Sequence, residues 1–313
     1  MARLPRQKSR QEAFYHLFNR TAGDPRDYPF DERPNARRFL GFFEFYLQLY
    51  CCRMASFTLM GNHYHSVLYF EQYRRLTQEE LEERARQRFG RLWRLKVRQW
   101  QRADWERFNR ELFDVSCFMH HVNGEFAKWF NRRHGRRGPF WADRFKNPQL
   151  LDLAAVQNVI LYNELNPVRA GKVRRPEDHR WGSAYWRWAG KRTDLLIPIE
   201  ELFPAEDGLD SFQIYRALLY HRGAVALKDR QGVIPAAVRR REQKRGYAGP
   251  GTLRRRLRFV TDGIAIGGHQ SVKLLLRSYR EAGVYRRRKH PIPQLSGRLF
   301  SLREQRSHAF SPG

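Results

Sequence analysis

Two histidines are the first residues that could do chemistry. In residues 59–68, LMGNHYHSVL, the Gly61-Asn62 pair is a turn signal, and His63 and His65 follow it one residue apart. Successive side chains of a β-strand point to opposite faces, so both imidazoles would share one face, roughly 6–7 Å apart along the strand. Such a pair could contact a single ion or small ligand. Taken alone, such a pair more often means two histidines that merely line a polar face of a sheet.

A second group of polar residues lies about a hundred positions later, in LYNELNPVRAG. Tyr162 and Asn166 are four residues apart and therefore lie on one face of a helix. Two imidazole nitrogens and one amide oxygen could hold a divalent cation, with positions left open for phosphate oxygens and water. Tyr162 could then act as a nucleophile that forms a covalent phosphotyrosine. The residues alone leave open whether the two segments meet.

The charge of the chain favours a polyanionic partner. The 313 residues include 60 Lys and Arg against 32 Asp and Glu, a formal net charge of +28. Solubility requires no such one-sided excess, whereas neutralising phosphates and releasing counterions would use it, so we expect nucleic acid. A membrane-surface protein would also be basic, but there is no apolar run of about 18 residues and no signal or lipidation motif. Three cysteines form no disulfide or zinc pattern, and a cytoplasmic location is expected.

The order of the predicted elements begins a ferredoxin-like arrangement, an α+β fold with an antiparallel sheet and facing helices. Asn35 could cap the first helix, and the Asn166-Pro167 pair is expected to end the last one. The predicted elements are strand 12–20, helix 37–50, strands 51–60 and 63–70, helix 114–134 and helix 151–173.

Two further parts extend this core, which we place at residues 1–190. The first is an insertion at about 71–112, where Thr77 and Glu80 form a capping box and 77–112 is predicted to be a long, exposed, basic helical segment. A solvated helix of balanced charge is an equal alternative for it. The second part follows a proline-containing linker at 191–204. It is a small, basic, mainly helical C-terminal region, 205–313, with a possible helix-turn-helix at 257–280 that would bind DNA.

A glycine-rich loop, GRRGPFWADRFKN at 135–147, mixes cations with aromatic side chains. Single-stranded nucleic acid binds to such surfaces because phosphates meet the cations and bases stack on the rings. The candidate DNA-binding residues are Arg132, Arg133, Arg136, Arg137, Trp141, Arg144 and Lys146. In the alternative, the aromatic residues anchor the loop in the core and only the basic residues contact DNA.

Three segments together resemble the REP-associated tyrosine transposases, which are single-tyrosine HUH-type transposases. The segments are MGNHYHSVLYF, FAKWFNRRHGRRGPFWADRFKN and LYNELNPVRAGKVRRPEDHRWGSAYW, in the family's order over roughly residues 10–190. The resemblance implies the HUH endonuclease fold, with the histidines on a central strand and the tyrosine on a facing helix. It further implies that His63 and His65 are metal ligands, that Asn166 supplies an oxygen near the metal, and that Tyr162 is the nucleophile.

The function that this resemblance implies is the cleavage and rejoining of single-stranded DNA beside hairpin-forming repetitive palindromic sequences. The reaction would use Mg²⁺ or Mn²⁺ and a 5′-phosphotyrosine intermediate, in a monomer or homodimer associated with a bacterial nucleoid. The alternative is a non-catalytic protein, derived from a transposase, that binds DNA or RNA hairpins. All four site residues are intact, which favours the enzyme. Among the other histidines, His16 is the one expected near the site.

Overall fold

The sheet has the strand order of a ferredoxin-like fold. A computed structural model describes residues 11–206, 208–224, 232–244, 263–281, 291–294 and 299–303. Its first four strands are β1 (Ala13–Arg20), β2 (Cys52–Leu59), β3 (His63–Phe70) and β4 (Gln149–Leu150). They lie in the order β2-β3-β1-β4, and each neighbouring pair is antiparallel. The predicted α+β class with an antiparallel sheet and facing helices is confirmed.

The helices fall between and after these strands. None of them, within the described ranges, is long and apolar enough to cross a membrane. In chain order they are α1 (Arg33–Leu49), α2 (Gln78–Phe89), α3 (Trp93–Val97), α4 (Arg102–Leu112), α5 (Val115–Arg133), α6 (Leu153–Arg169), α7 (Ser183–Trp188), α8 (Ile199–Leu202), α9 (Ser211–Gly223), α10 (Ala236–Lys244) and α11 (His269–Glu281).

The sheet separates two helical layers. Tyr64 points into an aromatic core formed with α1 and α5, where its ring lies 5.1 Å from that of Phe39 and its hydroxyl donates to Asn123 Oδ1 over 3.2 Å. Val67 points to the opposite face and packs with Val159 of α6. Because side chains of β3 alternate, the two histidines also face α6.

Two helix ends differ from the predictions. Helix α1 begins at Arg33 with Glu32 as its N-cap, because Pro34 suits the first turn. Asn35 is buried inside the helix, where its Nδ2 donates to the Pro29 carbonyl and to Glu32 Oε2. Helix α6 does not end before Pro167 but continues to Arg169. A proline this close to the end removes a single backbone hydrogen bond, and its burial offsets that loss.

The insertion is helical, as predicted, but it is neither continuous nor fully exposed. Thr77 and Glu80 form the expected capping box, with each side chain accepting from the other's backbone N–H. Gly90, at φ +59°, then ends α2, and a 3₁₀ turn leads into α3. Phe108 and Leu112 of α4 are buried in the aromatic core. Part of the insertion therefore packs into the core on the side of α1 and α5.

Residues 191–204 are packed into the protein. The N–H of Ile197 donates to the Met54 carbonyl over 2.7 Å, which attaches this segment to the outer strand β2. Leu202 and Phe203 are fully buried beside α6 and α9. Further along, the buried Arg216 donates to Glu177 over 3.1 Å and to Glu242 over 2.6 Å, which joins α9 and α10 to the core. The segment read as a linker is thus part of a continuous core.

Three later strands extend the sheet beyond β4. They are β5 (Gly263–Gly267), β6 (Ile292–Gln294) and β7 (Leu299–Arg303), in the order β4-β5-β7-β6. The helix-turn-helix prediction is wrong over 263–267, because this short apolar run pairs with β4 and β7 as a strand. Residues 257–262 lie outside the described ranges. Helices still make up most of the described C-terminal residues.

A half-buried histidine, His121, joins the insertion to the core. Nδ1 of His121 lies 2.6 Å from the hydroxyl of Tyr50, and Arg88 Nη2 lies 2.8 Å from its Nε2. A guanidinium can only donate, so Nε2 accepts and the imidazole is neutral. Burial, followed by the charge of Arg88, lowers the pKa of His121 to about 4.

We predict that acid destabilises the protein partly through His121. Its folded-state pKa of about 4 lies below the ordinary value of 6.5, so its contribution to stability is complete above pH 6.5 and is lost as the pH falls towards 4. The loss from this residue between pH 7 and pH 5 is on the order of 1–2 kcal/mol. Urea denaturation at both pH values should show a smaller acid-induced loss in His121→Gln than in the wild type. An equal loss in the two proteins would contradict this assignment.

Candidate active site

The two histidines lie on a strand that has neighbours on both sides. In β3, His65 pairs with Phe18 of β1 and with Thr58 of β2, so the pair sits near the middle of the four-stranded core. The ring centroids of His63 and His65 are 5.2 Å apart. His65 is buried and His63 is half-buried. The expected shared face is therefore present.

The turn before the strand holds His63 in place. Asn62 is buried, with its Nδ2 donating to the Pro25 carbonyl and its Oδ1 lying 2.8 Å from His63 Nδ1. Since that oxygen accepts, Nδ1 carries the proton and the lone pair of His63 is on Nε2. At Gly61, a Cβ would lie 2.6 Å from the Tyr28 ring, so no larger residue fits without displacing that ring.

His16 is the third histidine of the site. It is fully buried on β1, and its Nε2 lies 3.1 Å from Nδ1 of His65 with the two rings stacked at 5.2 Å. When His65 donates in this contact, its own lone pair is on Nε2, as in His63. His16 thus acts on the orientation of His65, as the outer partners of metal-binding histidines do.

Both candidate ligands are neutral at physiological pH. Burial, with smaller contributions from Arg20 and Lys172, lowers the pKa of His63 to about 4. Burial, with the neighbouring His63 and His16, holds the pKa of His65 well below its ordinary range. A metal binds the deprotonated imidazole, so no proton has to leave first.

Helix α6 brings the tyrosine to the histidines. Asp152 caps its start by accepting from the N–H of Ala155 over 2.9 Å. Two turns later, the ring of Tyr162 lies 5.8 Å from that of His65 and 6.4 Å from that of His16, nearly perpendicular to both. The two segments that the sequence could not connect therefore meet across one face of the sheet.

A buried polar network sets the rotation of α6. Asn163 donates to Ser56 Oγ on β2 over 3.2 Å. The carboxylate of Glu164 accepts from Ser183 Oγ at 2.5 Å, from Arg187 at 3.1 Å and from the Tyr215 hydroxyl at 2.6 Å. Burial nevertheless raises the pKa of Glu164, because desolvation outweighs the attraction of Arg187. The polar pair that follows Tyr162 is therefore structural.

The residues present fit a divalent cation that completes its coordination with ligands from outside the chain. Among the described residues no group of three or more His, Cys, Asp or Glu side chains could hold a metal. His63 and His65 supply two neutral nitrogens. Asn166 lies one turn beyond Tyr162, and its buried Nδ2 lacks a hydrogen-bond partner within the described ranges. An amide oxygen at this position and phosphate or water oxygens would be needed as further ligands.

Arg169 belongs to this site and was missed by the sequence analysis. Its guanidinium carbon lies 5.4 Å from the centroid of the Tyr162 ring, and the residue is 9% exposed. Nε and Nη1 are buried without a partner in the described part of the chain. A cation–π contact is worth about 0.5–2 kcal/mol, whereas each buried donor left unpaired costs about 1–3 kcal/mol. The i, i+4, i+7 spacing of Tyr162, Asn166 and Arg169 was the signal that could have found it.

The glycine-rich loop divides its side chains between core and solvent. Trp141 is half-buried, with its Nε1 donating to the Asn123 carbonyl over 3.0 Å and its ring 5.6 Å from Tyr64. Phe140 and Phe145 are buried. Trp141 therefore anchors the loop to the core, as the alternative for the aromatic residues expects, and which of these residues bind DNA stays a prediction. The predicted basic residues are all exposed, with Arg132 and Arg133 at the end of α5 and Arg136, Arg137, Arg144 and Lys146 in the loop.

The loop ends beside the histidines. Lys146 exchanges backbone hydrogen bonds with Phe18 on β1, and its Nζ lies 5.8 Å from the centre of that ring. The same Phe18 ring stacks on His65, with the ring centroids 5.5 Å apart. The exposed cations therefore lead from the loop towards the candidate metal ligands.

The comparisons with known proteins are limited to the level of fold. No protein-family model matches the chain, and no curated protein sequence matches it. A solved structure of a REP-associated tyrosine transposase bound to a REP hairpin resembles it with a TM-score of 0.41 and 12% sequence identity, covering 67% of this chain and 94% of that one. The similarity is distant, so the fold assignment rests on the strand order.

We predict that Glu164 is worth far more to stability than an exposed carboxylate in a similar ion pair. Glu164→Ala leaves Arg187 buried without its anion and should cost about 3–5 kcal/mol. Glu201→Ala breaks the pair with Arg53, whose side chains are 49% and 42% exposed, and should cost at most about 1 kcal/mol. Urea unfolding of both variants measures the difference. Equal losses would show that the network does not hold α6.

Proposed function

We propose that the protein cleaves and rejoins single-stranded DNA at hairpin-forming repetitive palindromic sequences, as a metal-dependent tyrosine transposase. The observation that supports this proposal most strongly is the placement of Tyr162, whose ring lies 5.8 Å from that of His65 on the face shared with His63. A phenol beside two neutral imidazoles is a nucleophile next to a potential cation site. Two of the three sequence segments that resemble REP-associated tyrosine transposases carry these residues, the histidines in the first and Tyr162 in the third.

In the proposed reaction Tyr162 replaces water as the nucleophile. Its Oη forms a bond to the phosphorus of the scissile phosphodiester, and the bond from phosphorus to the 3′ oxygen breaks. The departing 3′ oxygen takes the electron pair and gains a proton, while the proton of the phenol is lost. The product is a 5′-phosphotyrosine and a free 3′-hydroxyl. Because no water is consumed, a 3′-hydroxyl can attack the phosphotyrosine and rejoin the strand.

The other residues would bind and orient the strand. Mg²⁺ or Mn²⁺ held by His63, His65 and Asn166 would offset the negative charge that develops on the scissile phosphate. The exposed cations of the loop would attract the phosphate backbone, in keeping with the net charge of +28. The buried partners of the two histidines, Asn62 and His16, would keep the ligand nitrogens directed into the site.

We predict a covalent adduct that depends on one tyrosine. The wild-type protein, given a labelled hairpin-bearing DNA strand and Mg²⁺ or Mn²⁺, should form a species that survives denaturing electrophoresis. Tyr162→Phe and addition of a chelator should each abolish it. Tyr69→Phe, which removes a phenol from the same face of β3, should leave it unchanged.

Two outcomes would refute the enzymatic proposal. The first is binding without any adduct, in either metal and with strands that span the repeats flanking the protein's own gene, which would indicate a non-catalytic binding protein. The second is much tighter binding of RNA hairpins than of DNA hairpins, again without an adduct.

We predict that the loop arginines contribute to DNA affinity and to its salt dependence. Removing Arg137 should weaken binding by a similar factor for different DNA sequences and should reduce the slope of log affinity against log salt by about 1, as expected for one lost phosphate contact. Arg53→Ala removes an equal charge from the outer strand β2, where Arg53 is already paired with Glu201, and should change neither quantity. Fluorescence anisotropy at several salt concentrations measures both. An unchanged slope in Arg137→Ala would contradict a phosphate contact at this residue.

A further inference from the structure

Arg169 shares a helical face with the candidate nucleophile. It follows Tyr162 by seven residues, or two turns, with Asn166 between them on the same side of α6. Side chains on a helix lean towards its N-terminus, so that of Arg169 extends back along the helix. Its guanidinium carbon accordingly reaches a point 5.4 Å from the centroid of the Tyr162 ring.

The hydrogen-bonding capacity of this guanidinium is largely unused. Within the described residues neither Nε nor Nη1 has a partner, although both atoms are buried. Elsewhere the fold pairs buried arginines with carboxylates, as in Arg187 with Glu164 and Arg216 with Glu177. Arg169 therefore carries a desolvated positive charge that has no anion among the described side chains.

The end of α6 does not explain the position of Arg169. An arginine in a last turn commonly binds the free carbonyls of its helix. Here those carbonyls already accept from backbone N–H groups, with Ala170 donating to Asn166 and Gly171 to Val168 over 2.9 Å each. The carbonyl of Arg169 itself accepts from Gly232 over 3.1 Å. No described backbone carbonyl is left for the side chain to satisfy there.

The charge of Arg169 persists at neutral pH. Burial lowers the pKa of its guanidinium to about 10, and the nearby Arg222 acts in the same direction, while Tyr162 opposes them. A buried, charged guanidinium with unpartnered N–H donors beside a second cation is suited to an anion. A phosphate oxygen could accept from one of these donors.

We propose that Arg169 is a further catalytic residue, whose guanidinium donates an unpartnered N–H to a non-bridging oxygen of the phosphate that Tyr162 attacks. This inference rests on the proposed function. As the bond from Tyr162 Oη to phosphorus forms and the bond to the 3′ oxygen breaks, the guanidinium keeps all its protons and binds the charge on that oxygen. It binds the phosphotyrosine in the same way, so it acts in both cleavage and rejoining.

The test compares two buried arginines that each lie over a tyrosine ring. Arg216, with its guanidinium carbon 4.5 Å from the Tyr220 ring and with carboxylate partners, is the matched control. The rate of adduct formation in a single turnover should fall about 10²–10³-fold in Arg169→Ala. It should fall at least tenfold in Arg169→Lys, because an ammonium cannot place its N–H donors as the planar guanidinium does. It should be unchanged in Arg216→Lys, even if that variant melts at a lower temperature.

Two further readouts separate catalysis from structure. In a Tyr162→Phe background, where no chemistry occurs, Arg169→Lys should weaken DNA binding less than tenfold. With Tyr162 intact, added guanidinium ion should restore part of the rate of adduct formation in Arg169→Ala. Near-ultraviolet circular dichroism checks that each variant is folded. If Arg169→Ala does not fold, the rate of Arg169→Lys is compared with that of the wild type instead. An undiminished rate in folded Arg169→Lys overturns the inference alone. A wild-type protein that forms no adduct refutes the proposed function and this inference with it.

Discussion

The alternation of side chains along β3 is the constraint on which the rest of the structure depends. Because this strand is covered by helices on both faces, Tyr64 enters the aromatic core while His63 and His65 face α6. A slip of one residue in the pairing would exchange these positions and bury two imidazoles among phenylalanines. The Gly61-Asn62 turn prevents such a slip, since Asn62 binds both the preceding loop and the first histidine.

The opposite half of the site depends on a helix that is held by buried polar groups. Glu164 and its three donors fix the rotation of α6, and that rotation determines where Tyr162 and Arg169 lie. The resulting site combines neutral imidazoles with a desolvated guanidinium, and the exposed loop cations approach it from outside. The imidazoles are suited to a metal cation that itself binds an anion, and the guanidinium and the exposed basic side chains are suited to the anion directly. The electrostatics are therefore consistent with a phosphodiester substrate.

The sequence revealed those parts of the molecule that local periodicity controls. The two-residue repeat of a β-strand predicted that His63 and His65 share one face. The helical repeat predicted the same for Tyr162 and Asn166. Long-range packing decided the rest. Residues 263–267 became a strand because the edge of β4 was free to pair with them. Trp141 packs against the core because its Nε1 donates to the Asn123 carbonyl and its ring contacts that of Tyr64. Arg169 was not recognised as a site residue because Pro167 predicted that the helix ends before it.

In the proposed reaction Tyr162 becomes covalently linked to the 5′ side of a cut DNA strand. Tandem mass spectrometry of protease-digested protein, after reaction with a hairpin-bearing strand and Mg²⁺ or Mn²⁺, tests it most directly. We expect a nucleotide joined through a 5′-phosphate to Tyr162 in the peptide that also contains Asn166. A nucleotide on any other residue would contradict it. So would cut DNA bearing a free 5′-phosphate with no modified peptide, because water would then be the nucleophile.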